Sequence, residues 1–255
     1  MWLPIPSGNY FCFFFNFFSL LLNSKIKISF EDGFYYIKDF KWRFHHRKAG
    51  VYFYQLGINK RINFLKKKYF LDKINFNADD IIIDCGANNG DLSLCFDKKI
   101  KYYGIEPSPI VFSNLKHNVK NQKLINKAIW KNSKDKVSLY LSDEGGDSSV
   151  IPISNYTKKI DILTITLDEL IDDIGSQIKL IKIEGEGSEP EILEGLKKNL
   201  SQVEYLSIDA SFERGIDQKS TFEDCKTYLK KNNFELVNFD KKNYVLLFKN
   251  LYSDQ

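Results

Sequence analysis

Ile81-Ile-Ile-Asp84-Cys-Gly86-Ala-Asn88-Asn-Gly90 is an apolar, β-branched run that ends in a carboxylate and passes at once into a glycine turn. A helical stretch starts near Asp91. The pattern is that of a buried strand in a parallel sheet followed by the turn at its carboxyl end, the place where open α/β sheets bind ligands. Gly86 and Gly90 remove side chains where the backbone turns tightly and a ligand must come close. The spacing Gly-x-x-x-Gly, with an acid two residues before the first glycine, departs from the Gly-x-Gly-x-x-Gly of dinucleotide binders. A pyrophosphate is best held by a helix N-terminus free of negative charge. An acid in this turn suits a cationic ligand instead, such as the amino group of a sulfonium amino acid.

Beyond residue 79 the same alternation continues. Short apolar runs at 81–84, 102–105, 124–125, 137–141, 160–165, 180–183 and 203–208 read as strands. Helical stretches fall near 91–96, 110–118, 167–171, 189–198 and 222–231. This is the sequence signature of an α/β protein with a mostly parallel sheet. The last two runs, 234–239 and 244–248, flank Asp240-Lys-Lys-Asn243 and read as a closing antiparallel hairpin. A catalytic domain over 79–255 and an accessory region over 1–78 are therefore expected, since 255 residues suit one well-buried core better than two. With 43% hydrophobic and 27% charged residues the chain reads as soluble and globular. Its net charge of +4 is small and its lysines lie among acids, which gives nucleic-acid binding no support. Cys12, Cys85, Cys95 and Cys225 lie far apart without metal-ligand spacing, so neither zinc nor a disulfide framework is expected, and the cytoplasm is the default compartment.

Two further strand ends carry chemistry. Tyr102-Tyr-Gly-Ile-Glu106-Pro-Ser-Pro109 places an acid twenty residues after Gly86. Its two oxygens can accept both hydroxyls of a ribose. Alone, Glu106 reads equally well as a helix-start acid. With the glycine turn on the preceding strand, it points to a nucleoside cofactor. Leu180-Ile-Lys182-Ile-Glu184-Gly-Glu186-Gly-Ser188-Glu189-Pro190-Glu191 then brings two carboxylates and two glycines to the mouth of a third strand. Ser188 reads as an N-cap, with Glu189 and Glu191 offsetting the helix dipole. Glu184 and Glu186 are the catalytic candidates, for holding a substrate hydroxyl or removing its proton, because acids at the end of a buried strand are costly without partners. No metal site is singled out. His45, His46 and His117 have no placement that would argue for a base.

Asp84-x-Gly86-Ala-Asn88-x-Gly90, Glu106-Pro-Ser-Pro109 and Lys182-Ile-Glu184-x-Glu186-Gly187-x-Glu189-Pro-Glu191-x-Leu193 together resemble the motif set of FkbM-family methyltransferases over residues 79–249. The third motif departs from the family's usual Lys-Ile-Asp-Val-Glu-Gly-Ala-Glu at Glu184, Gly185 and Ser188. The resemblance implies a class I methyltransferase (Rossmann-like) three-layer sandwich, with a seven-stranded sheet whose strands 6 and 7 are antiparallel. It implies S-adenosyl-L-methionine as cofactor, held by Asp84, Gly86, Asn88, Gly90, Glu106, Pro107, Ser108 and Ala128. It also implies O-methylation of a small-molecule or glycan hydroxyl, and it draws in Asp147-Ser-Ser149 and the helix start Thr166-Leu-Asp168-Glu-Leu170. Glu213-Arg-Gly215, after the acidic strand end Asp209, reads equally well as part of the substrate side and as a surface loop. Asp168 reads as a helix acid and not as a ligand. A nucleotide-dependent sugar oxidoreductase or epimerase and a non-catalytic membrane-surface module are the rival readings.

The first 24 residues carry no charged side chain, and 10–22 is a Phe- and Leu-rich run of 13 residues. That is short of the ~20 needed to span a bilayer. It has neither the preceding cation nor the following cleavage site of a signal peptide. Three readings stay open: a helix docked on the domain, a peripheral membrane contact, or a mistaken translation start. Residues 29–76 alternate aromatic and basic residues without a clean period. They read as a cap with buried aromatics and solvated lysines in preference to a base-stacking surface.

Overall fold

Three consecutive isoleucines present apolar surface to both faces of a sheet, so a strand made of them belongs at its centre with both faces covered. In the computed structural model, which describes residues 8–21, 26–38, 41–44, 50–142 and 148–252, the strand β1 (Ile81–Cys85) is buried throughout. The other strands of its sheet are β2 (Lys101–Ile105), β3 (Lys123–Ile125), β4 (Ile178–Ile183), β5 (Val203–Asp209), β6 (Phe234–Asp240) and β7 (Val245–Asn250). Their order is β6-β7-β5-β4-β1-β2-β3. Neighbours from β5 to β3 are parallel, and β7 runs antiparallel to both β5 and β6. This is the seven-stranded class I methyltransferase sheet that the resemblance implied. The reversed strand is β7, inserted between β6 and β5. The order turns back between β4 and β1, so the ends of these two strands border the crevice in which such sheets bind ligands.

Alternate residues of the central strands feed two apolar layers. Ile81, Ile83, Ile181, Ile183, Leu206 and Ile208 belong to one, with side chains from the helices α4 (Leu167–Ile174), α5 (Glu189–Glu194) and α6 (Phe222–Lys231). Ile82, Leu180, Val245 and Leu247 belong to the other, together with Leu115 of α3 (Pro109–Asn118) and residues of the N-terminal region.

The N-terminal region has more order than its sequence suggested. Ile28–Glu31, Phe34–Ile37 and Trp42–Phe44 form a three-stranded antiparallel sheet. Tyr35, Trp42, Phe44 and Tyr54 are buried, whereas Lys27, Lys38, Lys41, Lys60 and Lys67 are exposed. Helix α1 (Asn9–Leu21) docks through Asn16, whose amide donates to Ile28 O and accepts from Ile28 N, both at 2.8 Å. Helix α2 (Ile58–Lys68) packs on the turn Asp91–Cys95 that follows β1, where Arg61 meets Asp91.

Several sequence-based expectations change. The runs at 137–141 and 160–165 stand outside the main sheet, as the ribbon Lys136–Ser142 with Tyr156–Ile165. The helix expected near 91–96 is a 3-10 turn, Asp91–Cys95. The helix expected over 189–198 ends at Glu194, before Gly195, whose Cβ would lie 2.4 Å from the carbonyl oxygen of Trp130. His45, His46 and Asp147 lie outside the described residues.

Candidate active site

Two adjoining clefts open at the carboxyl ends of β1, β2 and β4, with empty volumes of about 700 and 1180 Å³. Both are walled by Gly86, Asn88, Glu184 and Glu186. The first is completed by Glu106, Pro107, Ser108, Ala128, Ser148 and Val150. Of the eight sequence-derived cofactor residues, Gly86, Asn88, Glu106, Pro107, Ser108 and Ala128 line this cleft, whereas Asp84 lines only the second and Gly90 neither. Gly90 sits behind the turn at φ +93, packed against Val119 and Leu115.

Glu106 is held by the backbone. Its Oε2 accepts from Asn88 N at 3.0 Å and its Oε1 from Ser108 N at 2.8 Å. Burial is the largest influence on this carboxyl and lifts it to about 7, against the lowering effect of those two donors. Asn126 fixes the strand exit by donating to the carbonyls of Glu106 and Pro107, at 2.8 and 2.9 Å. Ser108 Oγ is buried in the cleft wall with no hydrogen-bond partner among the described residues. A buried polar atom without a partner is the exception in folded proteins.

Between the clefts lies a chain of charges. In the β4–β1 register Lys182 stands directly beside Asp84. Both are almost fully buried, with Nζ and Oδ1 3.0 Å apart. Tyr102 Oη donates to the other oxygen, Asp84 Oδ2. Lys182 also donates to the carbonyls of Cys85 and Gly86 and pairs with Glu184 Oε2 at 3.0 Å. Lys68, at the end of α2, reaches Glu184 Oε1 and Asp209 Oδ2, each at 2.8 Å. Both lysines are held well above their ordinary value: burial opposes their charge, but the acids around them outweigh it. Burial opposes the charge of Glu184 too, yet Lys182 and Lys68 hold its carboxyl well below the usual range.

These contacts revise two roles. Asp84 was expected to face a cationic ligand directly; its carboxylate is instead spent on Lys182 and Tyr102. Glu184 was a candidate proton acceptor; a carboxylate clamped between two ammonium groups is a poor base. Glu186 does line both clefts, with its backbone left-handed at φ +50 and its carbonyl accepting from Ser149 Oγ at 2.7 Å.

The turn after Glu184 is braced from beneath. Glu189, read as a helix-dipole acid, is buried: Oε1 accepts from Gly185 N and Gly187 N, and Oε2 from Thr221 Oγ1. Ser188 stands at the N-cap position of α5 but makes no side-chain cap bond; its hydroxyl donates back to Gly185 O at 2.7 Å. Glu191 forms a bidentate pair with Arg214, which also donates to Gly187 O. Asp168, likewise read as a helix acid, accepts from the backbone N–H groups of Lys197, Lys198 and Asn199 and fixes that turn.

Arg214 belongs to the hairpin Phe212–Arg214 with Lys219–Ser220. Glu213 is the extra residue of a bulge, since Phe212 and Arg214 face the consecutive residues Ser220 and Lys219, and it lines the second cleft with Glu184 and Glu186. Burial, then the nearby charges of Asp209 and Glu184, lift its carboxyl to about 8. Phe53, Arg61, Phe64, Leu65, Lys68 and Tyr69 from the N-terminal region form the opposite wall.

Lys68 and Lys182 carry roles the motifs did not disclose. A lysine inside the apolar strand Leu180-Ile-Lys182-Ile was the available signal, since a buried lysine demands an acid. Nothing in Lys66-Lys-Lys68 marks which of the three turns inward. Among the described residues no group of three or more His, Cys, Asp and Glu is disposed to hold a metal ion.

No curated protein matches the chain. Among solved structures, a TehB-like SAM-dependent methyltransferase from Corynebacterium glutamicum is similar at 13% identity, covering 73% of this chain and 87% of that one with a TM-score of 0.43. A putative tRNA (m1A22) methyltransferase from Streptococcus pneumoniae is 13% identical, covering 75% and 69% at a TM-score of 0.42. Magnesium protoporphyrin IX methyltransferase from Synechocystis, solved with bound SAM, is 10% identical, covering 75% and 76% at a TM-score of 0.40. Residues 84–236, more than half of the chain, match the family model described as Methyltransferase FkbM domain. With that match and the three strand-end motifs gathered at one crevice, the chain belongs to the FkbM methyltransferase family.

Proposed function

We propose that the chain is an S-adenosylmethionine-dependent O-methyltransferase acting on a hydroxyl of a sugar, a polysaccharide or a related small metabolite. The observation that carries the donor assignment is Glu106, a buried carboxylate held by two backbone donors in the wall of the first cleft. Its remaining acceptor capacity suits the paired hydroxyls of a ribose. The orphaned Ser108 hydroxyl beside it fits the same ligand. When bound, the donor supplies an electrophilic methyl group at its sulfonium.

The protein's share is positioning and proton removal. Lys182 fixes the Gly86 turn by gripping its carbonyl, and Glu106, Asn88 and Ser108 hold the nucleoside end. On the acceptor side, Phe53 and Phe64 line the cleft with aromatic surface suited to the C–H face of a sugar, and Glu186 and Glu213 line the same cleft. Glu213 takes the hydroxyl proton in this reading. Asp84, Asp91, Glu184 and Asp209 are each paired with Lys or Arg, whereas no ion pair to Glu213 occurs among the described residues. Its carboxyl, lifted to about 8, holds a proton at lower pH, and its ionised form, which grows as pH rises through that value, is a stronger base than an ordinary carboxylate.

Calorimetry tests the donor assignment. Wild type is expected to bind S-adenosylmethionine and to ignore NAD, and Glu106→Ala to bind at least about tenfold more weakly. Binding of NAD alone would overturn the reading. Glu213→Gln is expected to slow release of S-adenosylhomocysteine in the presence of a glycan acceptor by about a hundredfold, with donor affinity unchanged.

A further inference from the structure

Helix α1 presents Tyr10, Phe13, Phe14, Phe17, Phe18 and Leu21 at steps of three and four, which places them in one stripe along the helix. Amphipathic helices on globular proteins turn such a stripe inward. Here it faces out, with exposures between 45 and 72%. The inward face is made by Phe11, Cys12, Asn16 and Ser19, and Asn16 fixes the docking through its pair of bonds to Ile28. The outward stripe is therefore presented by a helix docked through its opposite face. An apolar patch of this kind on a soluble protein marks a surface meant to be covered.

Charge indicates what covers it. Residues 1–78 hold 13 Lys and Arg against four Asp and Glu, whereas residues 79–255 hold 24 against 29. The molecule is thus divided into a basic N-terminal region and an acidic remainder. Lys27 and Lys38, bonded backbone to backbone on the strands beneath α1, are both exposed. Helix α2 contains five basic residues and no acid; Arg61 and Lys68 pair with acids of the site, whereas Lys60 and Lys67 are exposed. An uncharged aromatic face beside surplus positive charge matches the interface of an anionic bilayer. A second copy of the chain would bring the same positive charge against itself.

We propose that α1 lies in the plane of an anionic membrane surface, its aromatic stripe inserted among the acyl chains and Lys27, Lys38, Lys60 and Lys67 set against the headgroups. At 13 residues the helix is about 20 Å long and lies on the membrane without crossing it. Phe11 packs on Tyr52 at 5.9 Å, and the next residue, Phe53, lines the second cleft. The buried face of α1 and the cleft wall are therefore joined through the turn Val51–Tyr54. This inference does not depend on which group the enzyme methylates.

Co-sedimentation of the full chain with phosphatidylcholine vesicles, and with vesicles that also contain phosphatidylglycerol, tests it. Binding is expected to the anionic vesicles only and to weaken as salt is raised. The variant Phe13→Ser, Phe17→Ser, Leu21→Ser changes exposed side chains, so its thermal unfolding should match wild type while its vesicle binding falls at least about tenfold. Lys60→Glu with Lys67→Glu should weaken binding and leave the fold intact. Three results would overturn the assignment: no binding to either vesicle, equal binding to both, or binding untouched by the serine variant. A concentration-dependent dimer abolished by the serine variant would give the stripe to a second copy instead.

Discussion

Lys182 and Asp84 show how a single cross-strand pair organises the site. Two ions removed from water attract strongly only because they are adjacent in register, and each has further partners. Lys182→Met leaves Asp84 and Glu184 without their shared cation. It is expected to reduce stability to urea by about 3–5 kcal/mol. Adding Asp84→Asn should return part of that loss, and simple additivity of the two changes would argue against direct coupling. Glu106 has the opposite character. Its folded pKa of about 7 lies above that of an unfolded glutamate, so the native state keeps a proton that the unfolded chain has released. The contribution of this group to stability is therefore fully present at acid pH and falls as pH rises towards 7. Glu106→Gln should flatten that slope. Ribose hydroxyls donating to Glu106 would lower its pKa, so binding of S-adenosylmethionine just below neutral pH should release a proton. Calorimetry in buffers of differing ionisation enthalpy reads this directly, and an equal release in Glu106→Gln would rule out Glu106 as its source.

At the scale of elements, the turn after β4 and the Phe212–Arg214 hairpin work as one piece. Gly187 has φ +91, and a Cβ there would lie 2.4 Å from Arg214 Cα. Only glycine lets the hairpin approach so closely, and the Arg214–Glu191 pair then locks it down. Gly187→Ala should destabilise the protein by about 1–3 kcal/mol, visible as a lower Tm. It should also slow methyl transfer, because Glu213 moves with the hairpin, while donor affinity changes little. Arg214→Lys, which loses the bidentate geometry but keeps the charge, should produce a milder form of the same split. A loss confined to donor binding would contradict this coupling.

On the scale of the whole molecule, the sheet was legible because its strands are short, apolar and β-branched, with turn residues between them. The glycine turn and Glu106 were legible because they are local in sequence. What escaped depends on long-range packing: Lys68 meets Glu184 across 116 positions, and no local pattern encodes that distance. The aromatic-basic stretch before residue 79 had no clean period because its strands are only three or four residues long. Its role follows from a single apolar cluster that joins Tyr35, Trp42 and Tyr54 to Ile82, Leu180 and Leu247. The N-terminal region thus covers one face of the catalytic sheet, and Arg61 and Lys68 tie it down through Asp91, Glu184 and Asp209. Two regions that share a core unfold together. Urea unfolding followed by far-UV circular dichroism is expected to coincide with that followed by the fluorescence of Trp42, isolated by Trp2→Phe and Trp130→Phe. An earlier Trp42 transition would mean that residues 1–78 separate before the sheet melts. In that event Lys68 would be a detachable part of the site and not a fixed one.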